Sequence, residues 1–378
     1  MLETSEKNKL TLDEINRYSR HLIVPEIGLK GQLKLKNSKV LVVGTGALGS
    51  PVLLYLAAAG VGTLGIIDFD KVEESNLQRQ VIHNTSSINK SKVESAKKQI
   101  NLINPNINVI SIEEKLISKN ALEIINGFDV VVDGTDNFPT RYLINDACVF
   151  LNKPFVYGAI FRFEGQVSVF NKNGGACYRC LFKEPPAPNK VQSCAEAGVL
   201  GVLPGIVGTI QANEAIKLIL NIGENLDNRL LTLNTLKMKF LEYKIEKNEE
   251  CPVCSRNPSI KELIDYNLFC GIKDNTEEII VEEISLIELK SMIEEENIQI
   301  VDIRENIKED EKSIKNSKQV DIKDILEDLT ILNNQKRVVL VCTIGLKSKE
   351  AIIKLKKAGY LGKIYSLKGG ITSWQNDQ

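Results

Sequence analysis

A run of β-branched and aliphatic residues at 40–43 meets Gly44-x-Gly46-x-x-Gly49, which opens a small-residue apolar stretch, and a second apolar run ends in Asp68-Phe-Asp70. Strand, glycine turn, helix, strand, acid is the order of a Rossmann-type nucleotide site, and it commits this part of the chain to a parallel α/β sheet. Glycines in the turn let backbone approach a phosphate, and the helix behind it offers free N–H groups and the positive end of its dipole. Asp68 lies nineteen residues after Gly49, about where an acid meets ribose hydroxyls.

A chain of 378 residues exceeds a typical single domain, and 43% hydrophobic content supplies two cores. The net charge of −1 implies no broad basic field for nucleic acid. The first residues, MLETSEKNKL, lack the apolar core of a signal peptide, and no apolar run approaches a membrane span, so a soluble, cytoplasmic protein is expected. In a reducing compartment eight cysteines point to metal, catalysis or packing rather than disulfides.

Thr11 is placed to cap a helix that begins at Leu12 with Asp13 and Glu14 in its first turn. Strand and helix patterns alternate from residue 40 to about 155, and residues 129–133 read as a buried strand ending in Asp133. Residues 161–170 alternate as one strand with an exposed face, the proline-rich 183–193 as a mobile loop, and 206–220 as an amphipathic helix. The expected organisation is a Rossmann-like, mostly parallel α/β domain at 1–255, a linker at 256–278 and a smaller α/β domain at 279–378. In the last, helices at 286–295 and 348–358 alternate with strands at 298–303, 338–341 and near Ile364.

The sequence holds no Gly-x-x-x-x-Gly-Lys-Ser/Thr, so a phosphate would have to be held otherwise; Arg79 and Lys92 are candidate cations, and the other reading of each is surface charge. Cys177-x-x-Cys180 and Cys251-x-x-Cys254 are two knuckles seventy residues apart, a set that suits a closed, structural, tetrahedral Zn²⁺ joining distant segments; the other reading is buried or redox thiols. Cys342 follows a strand and opens a loop into a helix N-terminus, where backbone N–H groups stabilise a thiolate or persulfide. Lys347 adds positive charge, and Ser348 stands where a Cys-x5-Arg phosphatase needs arginine. Cys148 and Cys270 read as packing residues.

Several further segments appear in order: Arg17-Tyr-Ser-Arg20, GTGALGS, Asn76-Leu-Gln-Arg79-Gln, Lys92-Val-Glu-Ser-Ala, Asp133-Gly-Thr-Asp136-Asn137, the two knuckles, and Cys194 before AEAGV. Over residues 11 to 255 the chain resembles the adenylating enzymes that activate ubiquitin-like sulfur carriers for molybdopterin or thiamine-thiazole synthesis, relatives of ubiquitin-activating enzymes. From about 279 it resembles a rhodanese, through Ile300-Val-Asp-Ile-Arg304-Glu305, the Cys342 loop, and Gly369-Gly370 with Trp374; the Gly-His-Ile usual in that family is absent.

The resemblance implies ATP with Mg²⁺, ribose contact at Asp68, an essential acid at Asp136, and nucleotide contacts from Gly44, Gly46, Gly49, Asn76, Arg79 and Lys92. It implies that Arg20 reaches the nucleotide of a neighbouring subunit, hence a homodimer, that Cys194 can attack an acyl-adenylate, and that Cys342 carries sulfur from a cysteine desulfurase. The expected activity is adenylation of the terminal glycine of a Gly-Gly-ending carrier, followed by sulfur transfer. A non-catalytic carrier-binding or sulfur-relay scaffold and an NAD-dependent oxidoreductase are the alternatives; for the latter, His21 and His83 have no evident proton-relay context.

Overall fold

The strand that precedes the glycine turn, β1 (Lys39–Val43), is buried on both faces: Val40 and Val42 join Leu53 and Leu56 in one apolar cluster, and Leu41 and Val43 join Phe128 and Tyr142 in another. That is why it reads as a continuous apolar run rather than an alternation. The computed structural model describes residues 9–186, 197–272, 281–304, 313–375 and 377. The chain divides into two units, Met1–Asp274 and Asn275–Gln378.

In the first unit, β1, β2 (Thr63–Ile67), β3 (Asn108–Ile112), β4 (Val130–Asp133) and β5 (Phe155–Phe161) form a parallel sheet in the order 3-2-1-4-5. Antiparallel β6 (Glu164–Phe170), β7 (Arg229–Asn234) and β8 (Lys239–Lys244) extend it. The chain leaves β1 toward β2 and β3, then returns to β4 on its other side. This reversal opens a crevice past the carboxyl ends of β1 and β4, where ligands of such sheets bind. The turn after β1 is tight: Gly44 has φ 90°, and a Cβ on Gly49 would lie 2.0 Å from the Gly44 carbonyl oxygen. The Gly49–Ala59 helix can therefore pack against the turn only with glycine at 49.

Thr11 does cap the first helix, and its hydroxyl and the Glu14 carboxylate form a capping box. Residues 161–170 correct the sequence expectation. They form the turn and second strand of a hairpin, with Arg162 at φ 52° in the turn between β5 and β6, and β6 is largely buried. Val167 and Val169 face one apolar cluster and Phe170 the other, while the buried Ser168 hydroxyl bonds the Leu226 and Arg229 carbonyls. The Leu203–Leu220 helix packs so closely on β6 that a Cβ on Gly165 would meet Val207 at 2.5 Å. Of the segment read as a linker, the described residues 256–272 lie in the first unit: Leu263, Ile264 and Cys270 join the second cluster, and the Ser118 hydroxyl donates to the Ile264 carbonyl at 2.6 Å.

The second unit is a five-stranded parallel sheet of β9 (Glu282–Ile284), β10 (Ile298–Asp302), β11 (Lys318–Gln319), β12 (Arg337–Val341) and β13 (Ile364–Leu367), ordered 11-10-12-13-9. The Leu286–Glu294 and Leu346–Lys357 helices cover it. Among the described residues no helix is long and apolar enough to cross a membrane.

Candidate functional site

At the carboxyl ends of β1 and β4 lies a cavity of about 1240 Å³ lined by Gly44, Gly46, Asp68, Arg79, Lys92 and Asp136, among others. The glycine turn is tied to the acid of β2, because Thr45 donates to Asp68 Oδ2 through its amide at 2.8 Å and its hydroxyl at 2.9 Å. The other Asp68 oxygen accepts from the Asp70 amide at 2.9 Å. Lys92 is buried and its ammonium pairs with Asp70 at 2.8 Å, so the first turn of the Lys92–Ile103 helix aims a cation at the cavity. Arg79 donates to the Ser75 carbonyl at 3.0 Å. Gln80 supplies the test of fit: it is buried, it lines the cavity, and its Oε1 has no partner among the described residues. A buried acceptor with nothing to bind is costly, and a nucleotide hydroxyl or amine would satisfy it.

Asp136 is exposed in the turn after β4. Asn137 caps the helix that follows, accepting from the Thr140 amide at 3.0 Å, and Asp136 is left for the cavity. Beneath it, Asp133 is fully buried and receives the Arg141 Nε at 2.9 Å and the Thr135 amide at 2.9 Å. The Arg141 Nη2 donates back to the Thr135 carbonyl at 3.2 Å, and its guanidinium lies 5.1 Å from the Tyr157 ring centre. Burial alone would lower the Arg141 pKa; the adjacent Asp133 charge more than offsets this and raises it. Arg141 thus shapes the turn that presents Asp136. Sequence reading passed over it because nothing in residues 138–150 marks which helix position faces β4.

His83 was also missed. Its Nε2 lies 3.1 Å from the Thr45 carbonyl oxygen and its Nδ1 lies 2.9 Å from the Ser95 hydroxyl, so the glycine turn is pinned to the Lys92–Ile103 helix. An Nε2–H tautomer satisfies both contacts, and burial pushes its pKa down to about 4. Three predicted residues stand elsewhere. Asn76 is buried and accepts from the Glu73 amide at 3.1 Å, while its carbonyl accepts from the Arg79 and Gln80 amides; it shapes the turn that carries those two. Gly49 packs under the turn. Arg20 is exposed and does not line its own chain's cavity. Cys194, with most of the proline-rich loop, falls outside the described residues.

The two cysteine knuckles meet. The sulfurs of Cys177, Cys180, Cys251 and Cys254 all lie within 4.8 Å of one another, with 3.5 Å from Cys177 to Cys251 and 3.4 Å from Cys180 to Cys254. A tetrahedral zinc with ~2.3 Å bonds requires sulfurs about 3.8 Å apart, so this cluster could hold one. Hydrogen bonds among the four thiols push Cys180 and Cys251 down and Cys177 and Cys254 up. Arg179, inside the first knuckle, pairs with buried Asp146 through Nε and Nη2, each at 2.8 Å, and Tyr266 donates to the same carboxylate at 2.8 Å.

In the second unit Cys342 closes β12 and is buried. The Gly345 amide points at its Sγ from 3.2 Å and the Ser348 amide from 3.4 Å, with the Ser348 hydroxyl also at 3.4 Å. The loop wraps so tightly that a Cβ on Gly370 would lie 2.2 Å from the Cys342 carbonyl oxygen. This is a cradle for a sulfur anion. Arg304 folds back on Asp302, Nη2 to Oδ2 2.8 Å, at the end of the adjacent β10.

The ThiF family model matches residues 18–253, and the Rhodanese-like domain model matches residues 285–377. A Mycobacterium tuberculosis protein named probable adenylyltransferase/sulfurtransferase MoeZ is 44% identical over 375 residues, covering 97% of this chain and 94% of its own. The Drosophila yakuba adenylyltransferase and sulfurtransferase MOCS3 is 41% identical over 382 residues, 97% of this chain and 84% of its own. A Thermus thermophilus sulfur carrier protein adenylyltransferase is 49% identical over 268 residues, 70% of this chain and 99% of its own. Among solved structures, E. coli MccB with ATP shares the fold at TM-score 0.56 and 24% identity, over 63% of this chain and 74% of that one. The glycine turn, the Asp133–Asn137 segment and Cys177, Cys180 and Cys251 thus sit inside the matched span, with Cys254 one residue beyond it, and the chain belongs to the ThiF family, with a rhodanese-like domain as its second unit.

Proposed function

We propose that the first unit adenylates the C-terminal glycine carboxylate of a ubiquitin-like sulfur carrier ending in Gly-Gly, and that the second unit then delivers sulfur to it. One observation carries the first half: Gly44, Gly46, Asp68, Arg79, Lys92 and Asp136 line one cavity. The carrier carboxylate attacks the α-phosphorus of ATP and pyrophosphate leaves. The glycine turn and Asp68 hold the nucleotide, Arg79 and Lys92 offset charge gathering on the departing phosphates, and Asp136 would hold the Mg²⁺ that neutralises them. The Thermus relative's name and the two activities named in the MoeZ and MOCS3 relatives support this assignment.

For the second half, the terminal sulfur of a Cys342 persulfide attacks the acyl carbon and AMP leaves. A thiol must then attack the Cys342 sulfur of this acyl disulfide, freeing the thiocarboxylate and leaving a disulfide for an external dithiol to reduce; the role proposed for Cys194 is attack on the acyl-adenylate. The persulfide would come from a cysteine desulfurase. Tethering both units on one chain raises the sulfur donor's effective concentration near a labile adenylate. Zn²⁺ at the four cysteines would staple residues 177–180 to 251–254, a homodimer would bring Arg20 to a neighbouring site, and a cytoplasmic location suits the reduced thiols. The product would feed molybdopterin or thiamine-thiazole synthesis. The oxidoreductase alternative loses its proton carriers: His83 is spent on Thr45 and Ser95, and His21 bonds Gln32 at 3.0 Å.

ATP–pyrophosphate exchange with each Gly-Gly-ending carrier supplied separately tests the reading. Exchange with one carrier, lost in Asp136→Ala, is expected. Absence of exchange with every carrier in folded, zinc-loaded protein would favour the scaffold alternative.

A further inference from the structure

We propose that Ser366 is a positioning residue for Cys342: it sets the direction in which the Ser348 hydroxyl donates its hydrogen, and so directs that hydrogen onto the sulfur anion. The proposal rests on the sulfur-transfer reading of the second unit.

Ser366 lies on β13 and Ser348 in the first turn of the Leu346–Lys357 helix, and neither side chain has any solvent exposure. Their hydroxyl oxygens are 2.8 Å apart, and the Ser348 oxygen is 3.4 Å from Cys342 Sγ. The Gly345 carbonyl competes for the same hydrogens, at 3.1 Å from the Ser348 oxygen and 3.4 Å from the Ser366 oxygen. Each hydroxyl has one hydrogen to give. While Cys342 is a thiol, its S–H can donate to Ser348, whose own hydrogen then turns to Gly345 or Ser366. Once the sulfur is a thiolate it only accepts. The Gly345 and Ser348 amides already point at it, and the Ser348 hydroxyl supplies a third donor if its hydrogen turns inward.

Ser366 decides that turn. By donating into the Ser348 oxygen it takes the lone pair facing β13 and leaves the Ser348 hydrogen facing the sulfur. The result is a polarised chain from Ser366 to Ser348 to sulfur in a dry pocket, where consecutive hydrogen bonds reinforce one another. In the thiol state the Gly345 carbonyl keeps the Ser366 hydroxyl satisfied. Without Ser366, nothing on the β13 side among the described residues opposes donation from Ser348 to Gly345.

The test is peptide-resolved iodoacetamide alkylation of Cys342 in the full chain across pH. Ser348→Ala removes a charge-assisted bond and should move the alkylation midpoint up by about one to two pH units. Ser366→Ala should move it up by about half a unit, and Ser366→Thr, which keeps the hydroxyl, should restore it. In a Ser348→Ala background, Ser366→Ala should add nothing, because the chain it polarised is gone. The nearby charges, Lys347 and the Asp302–Arg304 and Lys349–Glu283 pairs, are the same in every variant. An unchanged midpoint in Ser366→Ala, or an equal shift in both backgrounds, would overturn the proposal. Thiocarboxylate formation on the carrier by wild-type protein is scored separately by mass. Its absence would sink the sulfur-transfer reading while the alkylation midpoints still decide the role of Ser366.

Discussion

Replacing Arg141 by methionine should cost this protein both stability and catalysis. Asp133 has no solvent exposure, and Arg141 is its one charged partner among the described residues, Nε to Oδ2 2.9 Å. Deleting one member of such a pair leaves a buried carboxylate with only Thr135 donors, which costs about 3–5 kcal/mol. The bonds from Arg141 to the Thr135 and Gly158 carbonyls go too, at roughly 1 kcal/mol each and overlapping with the first loss. The loss is a sizeable part of the ~5–15 kcal/mol that typically holds a domain together, so a folded but weakened first unit is expected. Because Thr135 immediately precedes Asp136, the turn loosens where it matters, and a displacement near ~1 Å costs on the order of 10²-fold in pyrophosphate exchange. The chain has 1 tryptophan, Trp374 in the second unit, so its fluorescence in a urea titration is an internal control. Far-UV dichroism of the variant should acquire an earlier transition while the tryptophan transition stays put. Adding Asp133→Asn should recover part of the loss, since no carboxylate then lacks its cation. A shift under about 1 kcal/mol with exchange within twofold of wild type would refute the reasoning.

Cys342→Ala should leave pyrophosphate exchange unchanged and abolish carrier thiocarboxylate in a coupled assay; loss of exchange would mean that the cysteine supports the first unit instead. Elemental analysis should find about one zinc per chain, and its chelation should expose residues 177–180 and 251–254 to hydrogen exchange together, whereas independent exposure would refute a shared metal. His83 should give acid sensitivity. The unfolded imidazole protonates near 6.5 and the folded one at about 4, so the unfolded state binds more protons between these values. Its contribution is full above pH 6.5 and falls as pH drops toward 4, by up to about 3 kcal/mol; His83→Gln should flatten that part of the profile, and a parallel wild-type profile would refute the assignment.

Much of the site could be read in the sequence because it is local. Gly44, Gly46 and Gly49 are confined by one turn, Asp68 by the end of the next strand, and the knuckles and the Cys342 loop by short spacings, each with a chemistry its residue types already limit. What escaped depends on which distant surfaces meet. The 161–170 segment kept its alternation but not its exposure, because the Leu203–Leu220 helix covers one side of β6 and the aromatic cluster the other. Arg141, His83 and Ser366 carry no motif, and their partners are six to thirty-eight residues away in sequence. The sequence by itself determined the glycine turn and the cysteine sets, since backbone geometry and ligand chemistry leave few residue types able to build them. Tertiary packing alone decided which charges are buried, which hydroxyls face a sulfur and which acid is left over for the cavity, because burial and hydrogen-bond direction are properties of pairs of surfaces and not of a segment.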